Sequence, residues 1–195
     1  MQGSTAYLSV GANLGDKIAN CRAGLLRLEQ RPDTRVVVVS PFYRTEPVDF
    51  VDQDWFVNLA AKIRTELDPF ALLRVLQDIQ QEAGQGPKRV RFGPRLLDLD
   101  IIFYEDAVIE TAGLVLPHPR MHRRRFVLQP LCDIAPDFVH PVLGERVQVL
   151  LDNLPDDAQE IVRLPAERDF LFGTMFENGG VRNHEKKGSS GEGSR

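Results

Sequence analysis

The chain predicts an α+β fold, a mostly antiparallel sheet with helices packed on it. Three observations carry this. Apolar residues recur at a period of two in some stretches and near four in others, and the stretches run strand–helix–strand, then strand–helix–strand. Turn residues rich in Gly, Pro and Asp separate them. Of 195 residues, 43% are hydrophobic, enough to close one sizeable core. The order βαββαβ is that of the ferredoxin-like sandwich, with its helices on one face of the sheet.

Each element follows from its residues. Ala6-Tyr7-Leu8-Ser9-Val10 reads as a strand that ends at Gly11. Behind Asp16, Ile18, Cys21, Leu25 and Leu28 recur at helical spacing, which predicts a helix from about Asp16 to Glu29. Arg31-Pro32-Asp33 breaks it. The run from Arg35 to Tyr43 holds four consecutive valines and predicts one strand buried on both faces or nearly so. After a loop from Arg44 to Asp54, Trp55 to Arg64 alternates as a strand antiparallel to the valine run. Asp68 then caps a second helix with Pro69 at its first position and Phe70, Leu73, Val75, Leu76 and Ile79 on its buried face. Gly84-Gln85-Gly86-Pro87 ends that helix and opens a basic loop. Leu97 to Tyr104 is the next strand, followed by a short apolar segment at Val108-Ile109. Helices near Arg124–Ile134 and Val147–Leu151 close the core.

Composition divides the chain into a core domain at 5–157, an extension at 158–177 and a tail at 178–195. The Gly-Ser-rich tail has almost nothing to bury and is expected to be disordered. The 24 Lys+Arg against 28 Asp+Glu give a net charge of −4, which argues against a general nucleic-acid coat. No run of about 18 apolar residues exists, so no membrane span is expected. Met1-Gln2-Gly3-Ser4-Thr5 lacks the pattern of a secretory signal. Cys21 and Cys132 are too few for a disulfide framework and are expected to be small core residues. A reduced, cytoplasmic globular protein is the expectation.

The chemistry concentrates in Arg91-Phe92-Gly93-Pro94-Arg95-Leu96-Leu97-Asp98-Leu99-Asp100-Ile101. On a strand, Leu97, Leu99 and Ile101 point into the core while Asp98 and Asp100 project together from the other face, their Cα atoms about 6.5–7 Å apart. Carboxylates so placed repel each other unless a cation lies between them, and Mg²⁺ suits a pair of carboxylates with waters and phosphate oxygens. On the spacing alone a solvated strand face is the more ordinary reading. Lys88, Arg89, Arg91 and Arg95 crowd beside the pair, and Arg120, His122, Arg123, Arg124 and Arg125 follow His118. In an acidic chain these clusters imply a local anionic ligand. Acids for a metal flanked by guanidinium groups are what phosphoryl transfer needs. Phe56 and Asn58, on one face of a strand and close to Thr45-Glu46-Pro47-Val48, suit a flat heteroaromatic ligand; core packing for Phe56 and a turn role for Asn58 fit the spacing too. Gly11-Ala12-Asn13-Leu14-Gly15-Asp16 serves either as a weak phosphate loop or as a plain turn into the helix.

Val10-Gly11-Ala12-Asn13-Leu14-Gly15, Phe42-Tyr43-Arg44-Thr45, Asn58, the Arg91–Ile101 string and Pro117-His118 resemble the 6-hydroxymethyl-7,8-dihydropterin pyrophosphokinase family of folate biosynthesis, from about Ala6 to Leu151. The resemblance implies a monomer that transfers the diphosphate of ATP to the pterin hydroxymethyl group and releases AMP. It implies two Mg²⁺ ions on Asp98 and Asp100, with Arg95, Asp98 and Asp100 as catalytic residues. It also implies ATP binding by Gln77, Lys88, Arg91, Arg95, Ile101, His118 and Arg124. The pterin would lie among Thr45, Val48, Phe56, Asn58, Phe92, Asp98 and Phe126, between the rings of Phe56 and Phe126. Gln85, Gln80, Phe92 and Pro119 stand where the family usually has arginine, glutamate, tryptophan and tyrosine. No nucleic acid or membrane partner is implied. A single-strand RNA module on the same fold, and a metal-dependent phosphohydrolase or nuclease using the same aspartates, are the competing classes.

Overall fold

The computed structural model describes residues 3–48, 51–84, 93–155 and 159–165. One sheet dominates. Its central strand, β1 (Ser4–Ala12), lies between β4 (Phe56–Thr65) and β5 (Asp98–Tyr104), antiparallel to both. Between β1 and β4 the chain forms α1 (Lys17–Glu29), β2 (Thr34–Val39) and β3 (Tyr43–Thr45). Between β4 and β5 it forms α2 (Pro69–Glu82). Beyond β5 come the β6–β7 hairpin (Ile109–Glu110, Val115–Leu116), α3 (Arg125–Ile134), α4 (Val147–Asp152) and β8 (Ile161–Arg163). The sheet order is β5-β1-β4-β3-β8 with β2 also on β4, and every described ladder is antiparallel. The result is a mixed α/β protein with an antiparallel sheet.

Both expected long helices form with the expected caps. Asp16 accepts the Ala19 N–H at 3.0 Å, and Asp68 accepts those of Phe70 and Ala71 at 2.9 Å with Pro69 in the first turn. Each cap relieves otherwise unpaired N–H groups and contributes about 1 kcal/mol. The buried face of α2 is Leu72, Leu76 and Ile79, whereas Phe70 is exposed. Phe70 sits two residues before Leu72, about 200° round the helix, so it cannot share that face.

The valine run is not one strand buried on both faces. It breaks at Ser40-Pro41, because proline has no N–H for a ladder. Ser40 bridges the gap, its N–H donating to the Ala60 carbonyl and its Oγ accepting the Ala60 N–H, both at 2.9 Å. β2 and β3 therefore share one edge of β4, β2 opposite its far end and β3 opposite Phe56–Asn58. As an edge strand β2 exposes Arg35 and leaves Val37, Val38 and Val39 half-buried.

Helices cover both faces of the sheet, not one. Cys21, Leu25 and Leu28 of α1 join Leu72, Leu76 and Ile79 of α2 over Leu8, Val10, Leu59, Leu99 and Ile101. On the opposite face Val127, Leu128 and Leu131 of α3 join Val147 and Leu150 of α4 over Tyr7, Ala60 and Ile102. A bulge where β1 meets β5, between Tyr7 and Leu8, lets Phe103 join Ile102 on this second face, opposite Tyr7. Both cysteines are buried as expected, and burial pushes the Cys21 thiol up to about 12. No helix among the described residues is long and apolar enough to cross a membrane.

Candidate active site

A cleft of about 870 Å³, its open mouth included, lies on the second face of the sheet beside the α3–α4 core. Its floor is set by strand register. Gly11 pairs with Asp98 on one side and Asn58 on the other, and Ser9 pairs with Asp100. Paired residues share a face, so both aspartates, Ser9, Gly11, Phe56 and Asn58 line one cavity. Leu99 and Ile101 alternate with the aspartates into the first core. Gln80, on α2, accepts the Leu99 N–H at 3.2 Å and so holds the open edge of β5 between the two acids.

Glycine at position 11 is required by what lies over it. A Cβ there would fall 2.4 Å from Asn58 Oδ1. The space lets the buried Asn58 amide lie across the sheet, where its Nδ2 donates to Thr45 Oγ1 at 2.6 Å.

At one end Arg95 forms an ion pair with Asp98. The backbone of Arg95 is held by Asn13, which is 1% exposed: its Oδ1 accepts the Arg95 N–H at 2.6 Å, while the Arg95 carbonyl accepts the N–H groups of Asn13 and Leu14. The Asn13 Nδ2 donates to Gln53 Oε1 at 2.9 Å and to the Asp54 carbonyl at 3.2 Å. Lys17 adds an ion pair to Asp54 at 2.7 Å. The Gly11–Asp16 segment is thus a structural turn into α1 that clamps two loops; its residues beyond Gly11 do not line the cleft.

His118, Arg120 and Arg124 form the wall after β5. The His118 N–H donates to the Ile102 carbonyl at 3.0 Å, and its Nδ1 accepts the Arg120 N–H at 3.3 Å. An acceptor Nδ1 places the proton of the neutral ring on Nε2. Burial first, then the charges of Arg124 and Arg120, push the His118 pKa down to about 4, so the imidazole is neutral near pH 7.

Thr45, Glu46, Val48, Phe56 and Phe126 line the other end. The Arg124 guanidinium lies 5.4 Å from the centroid of the Phe126 ring. Among the described residues no three acidic, histidine or cysteine side chains gather as a closed metal site. A pair of carboxylates alone fits a hard cation that takes its remaining ligands from phosphate and water, not a tightly caged metal.

The structure brings together Arg95, Asp98, Asp100, His118, Arg124, Thr45, Val48, Phe56, Asn58 and Phe126. Lys88, Arg91 and Phe92, with Gln85, lie outside the described residues, as do 166–195. Gln77 and Ile101 are not brought to the cleft. Gln77 is exposed on α2, and the Ile101 side chain is 4% exposed in the first core, as its alternation with Asp100 demands. Gln77 and Ile101 thus stand off the lining of this cavity, and ATP binding by them stays an expectation of the family resemblance. Ser9, Gln53 and Gln159 complete the lining without having been singled out, and Gly11, Glu46 and Arg120, named only as parts of wider motifs, join it. Ser9 and Gly11 were accessible to a pairing argument, since the partner of a strand with paired acids must supply small residues on the same face.

The fold and this lining define an α+β enzyme with one composite cleft, acids and guanidinium groups at one end and two phenyl rings at the other. Residues 7–136 match the family described as 7,8-dihydro-6-hydroxymethylpterin-pyrophosphokinase (HPPK), and the chain belongs to that family. It is 44% identical over 157 residues to the 2-amino-4-hydroxy-6-hydroxymethyldihydropteridine pyrophosphokinase of Methylorubrum extorquens, covering 80% of this chain and 98% of that protein. The Bacillus subtilis protein of the same name is 44% identical over 130 residues, covering 67% and 77%. The folic acid synthesis protein fol1 of Schizosaccharomyces pombe is 45% identical over 150 residues, 77% of this chain, which spans only 20% of that longer protein. In structure the chain is similar to HPPK-DHPS solved in complex with substrates, with a TM-score of 0.60 at 16% identity, covering 77% of this chain and 43% of that one. The wild-type HPPK-DHPS of Plasmodium falciparum gives a TM-score of 0.58 at 17% identity, covering 76% and 43%.

Proposed function

We propose that this chain transfers the terminal diphosphate of ATP to the hydroxymethyl group of 6-hydroxymethyl-7,8-dihydropterin, giving AMP and the pterin diphosphate for folate synthesis. One observation carries the reading: the acid pair, the guanidinium groups and the two phenyl rings line a single cavity, so a polyphosphate and a flat ring meet inside it. The pterin alcohol oxygen attacks Pβ in line. A new O–Pβ bond forms as the alcohol O–H gives up its proton to solvent, the bond from Pβ to the oxygen it shares with Pα breaks, and AMP leaves with that oxygen.

Asp98 and Asp100 would hold two Mg²⁺ ions against the triphosphate. When bound there, Mg²⁺ supplies charge neutralisation for the phosphate oxygens. Arg95, Arg120 and Arg124 bind the same oxygens and spread their charge, which is most of what a loose phosphoryl-type transition state asks of a protein. His118, neutral with its proton on Nε2, donates a hydrogen bond without adding a charge. Phe56 and Phe126 stack on the pterin faces, and the Asn58–Thr45 pair reads its polar edge. Holding alcohol and phosphorus in line removes the entropic part of the barrier. The β5-β1-β4-β2 order with antiparallel neighbours supports the ferredoxin-like assignment for the core. A cytoplasmic monomer is part of the same reading.

The test is to mix the protein with Mg²⁺, ATP and the reduced hydroxymethylpterin and to measure AMP and pterin diphosphate. Asp100→Ala should lower turnover by about a thousandfold or more. Inorganic phosphate as the product, or AMP formation that survives Asp100→Ala, refutes the proposal.

A further inference from the structure

The stretch after α4 enters the cleft. β8 pairs with β3, and just before it Gln159, 6% exposed, lines the ring end of the cavity. Its side chain joins two elements that otherwise approach the slot independently. Gln159 Oε1 accepts the N–H of Phe126 at 3.1 Å, and Gln159 Nε2 donates to the Glu46 carbonyl. Phe126 lies in the first turn of α3, where the N-cap residue Arg124 makes no side-chain cap. Gln159 therefore satisfies, from a distant part of the chain, an N–H that the helix leaves unpaired. A main-chain donor on one side and a main-chain acceptor on the other fix the orientation of the Gln159 amide.

We infer that Gln159, which lies beyond the residues matched to the family, is a positioning residue for the ring-binding half of the cleft. Its amide fixes the distance between the Phe126 wall and the Thr45–Val48 wall, and hence the width of the slot. The inference rests on the pterin reading for the identity of the ring. Segment 160–163 does not depend on this side chain. Glu46 and Glu160 exchange two further hydrogen bonds, and Thr45 pairs with Ile161 in the β3–β8 ladder. The phosphate end is held separately as well, since the Arg124 N–H donates to Met121 and His118 to Ile102. Loss of the amide should therefore be felt by the ring and not by the nucleotide.

The experiment uses the full chain with Gln159→Met, which keeps the volume and removes both hydrogen bonds, and Gln159→Glu, which keeps the acceptor alone. Calorimetric titration with the dihydropterin should show Kd raised about tenfold or more in Gln159→Met and by less in Gln159→Glu. The Kd for Mg-ATP should stay within about twofold and KM for the pterin should rise more than kcat falls. Hydrogen exchange at the Phe126 N–H should quicken while the β3–β8 amides keep their protection. Unchanged pterin affinity, or pterin and ATP affinities falling together, overturns the inference. If the wild-type chain binds no pterin, the functional reading fails, and unaltered exchange at Phe126 then overturns the amide bridge on its own.

Discussion

Gly11→Ala is a single-methyl change whose cost can be worked from contacts. The added Cβ meets Asn58 Oδ1 at 2.4 Å, a separation no real pair of these atoms sustains. β1 is the central strand, paired on both sides, so the Gly11 backbone cannot retreat. Asn58 must turn away and give up its 2.6 Å bond to Thr45, which is 1% exposed. Overpacking costs about 1–3 kcal/mol, and orphaning a buried polar pair costs about 1–3 kcal/mol more. At roughly 2–4 °C per kcal/mol for a chain of this size, the thermal midpoint should fall by about 4–24 °C. Pterin Kd, measured by calorimetry, should rise by about tenfold or more because the edge-reading amide is displaced. The decisive arm is a double-mutant cycle on Asn58→Ala. Once Asn58 is truncated the new methyl enters vacated space, and Gly11→Ala should add less than about 0.5 kcal/mol. An equal penalty in both backgrounds refutes the reasoning, since the collision would then not be with Asn58.

Two further outcomes follow from the site. Phe56→Ala removes one stacking face, worth about 1–3 kcal/mol for a base-like ring, so pterin Kd should rise about tenfold while Mg-ATP Kd moves by less than about twofold; parallel losses of both would place Phe56 in general packing. His118 has its folded pKa lowered to about 4, below the ordinary 6.5, so the unfolded chain takes up its proton first as pH falls. Stability from this group is thus complete above pH 6.5 and lost as pH drops toward 4, at about 1.4 kcal/mol per pH unit. Burial also lowers His122 and His140, so the measurement is a difference: urea melts of wild type and His118→Asn from pH 7 to 4.5, the variant showing the shallower decline. Identical slopes would mean that His118 is not held neutral.

The acids were legible because their signal is local. Strand alternation fixes which way Asp98 and Asp100 face, and Leu99 and Ile101 between them are apolar. The caps at Asp16 and Asp68 are equally local. What escaped was set by distant partners. A continuous apolar run does not tell one strand from two, and only the pairing of Ser40 with Ala60 shows where the chain steps sideways. The amphipathic stripe of α3 says that one side is covered but not which face of the sheet covers it. Gln159 sits in a polar stretch with no periodicity, and its partners lie 33 and 113 residues away. Ile101 carries two separate signals: alternation with Asp100 turns its side chain inward, while a place near the nucleotide comes from the family resemblance alone.

The cleft's floor and its rim are built from different material. On β1, β4 and β5 each floor residue is flanked along the strand by a fully enclosed one, so Gly11, Asn58 and Asp100 have no slack in which to drift. Val48 and Gln53 belong to connecting loops outside any strand ladder, with Gln53 tied by its side chain to Asn13. An inhibitor anchored on the floor would leave few escape substitutions that spare the enzyme, whereas one leaning on the rim would invite resistance at little cost in fitness.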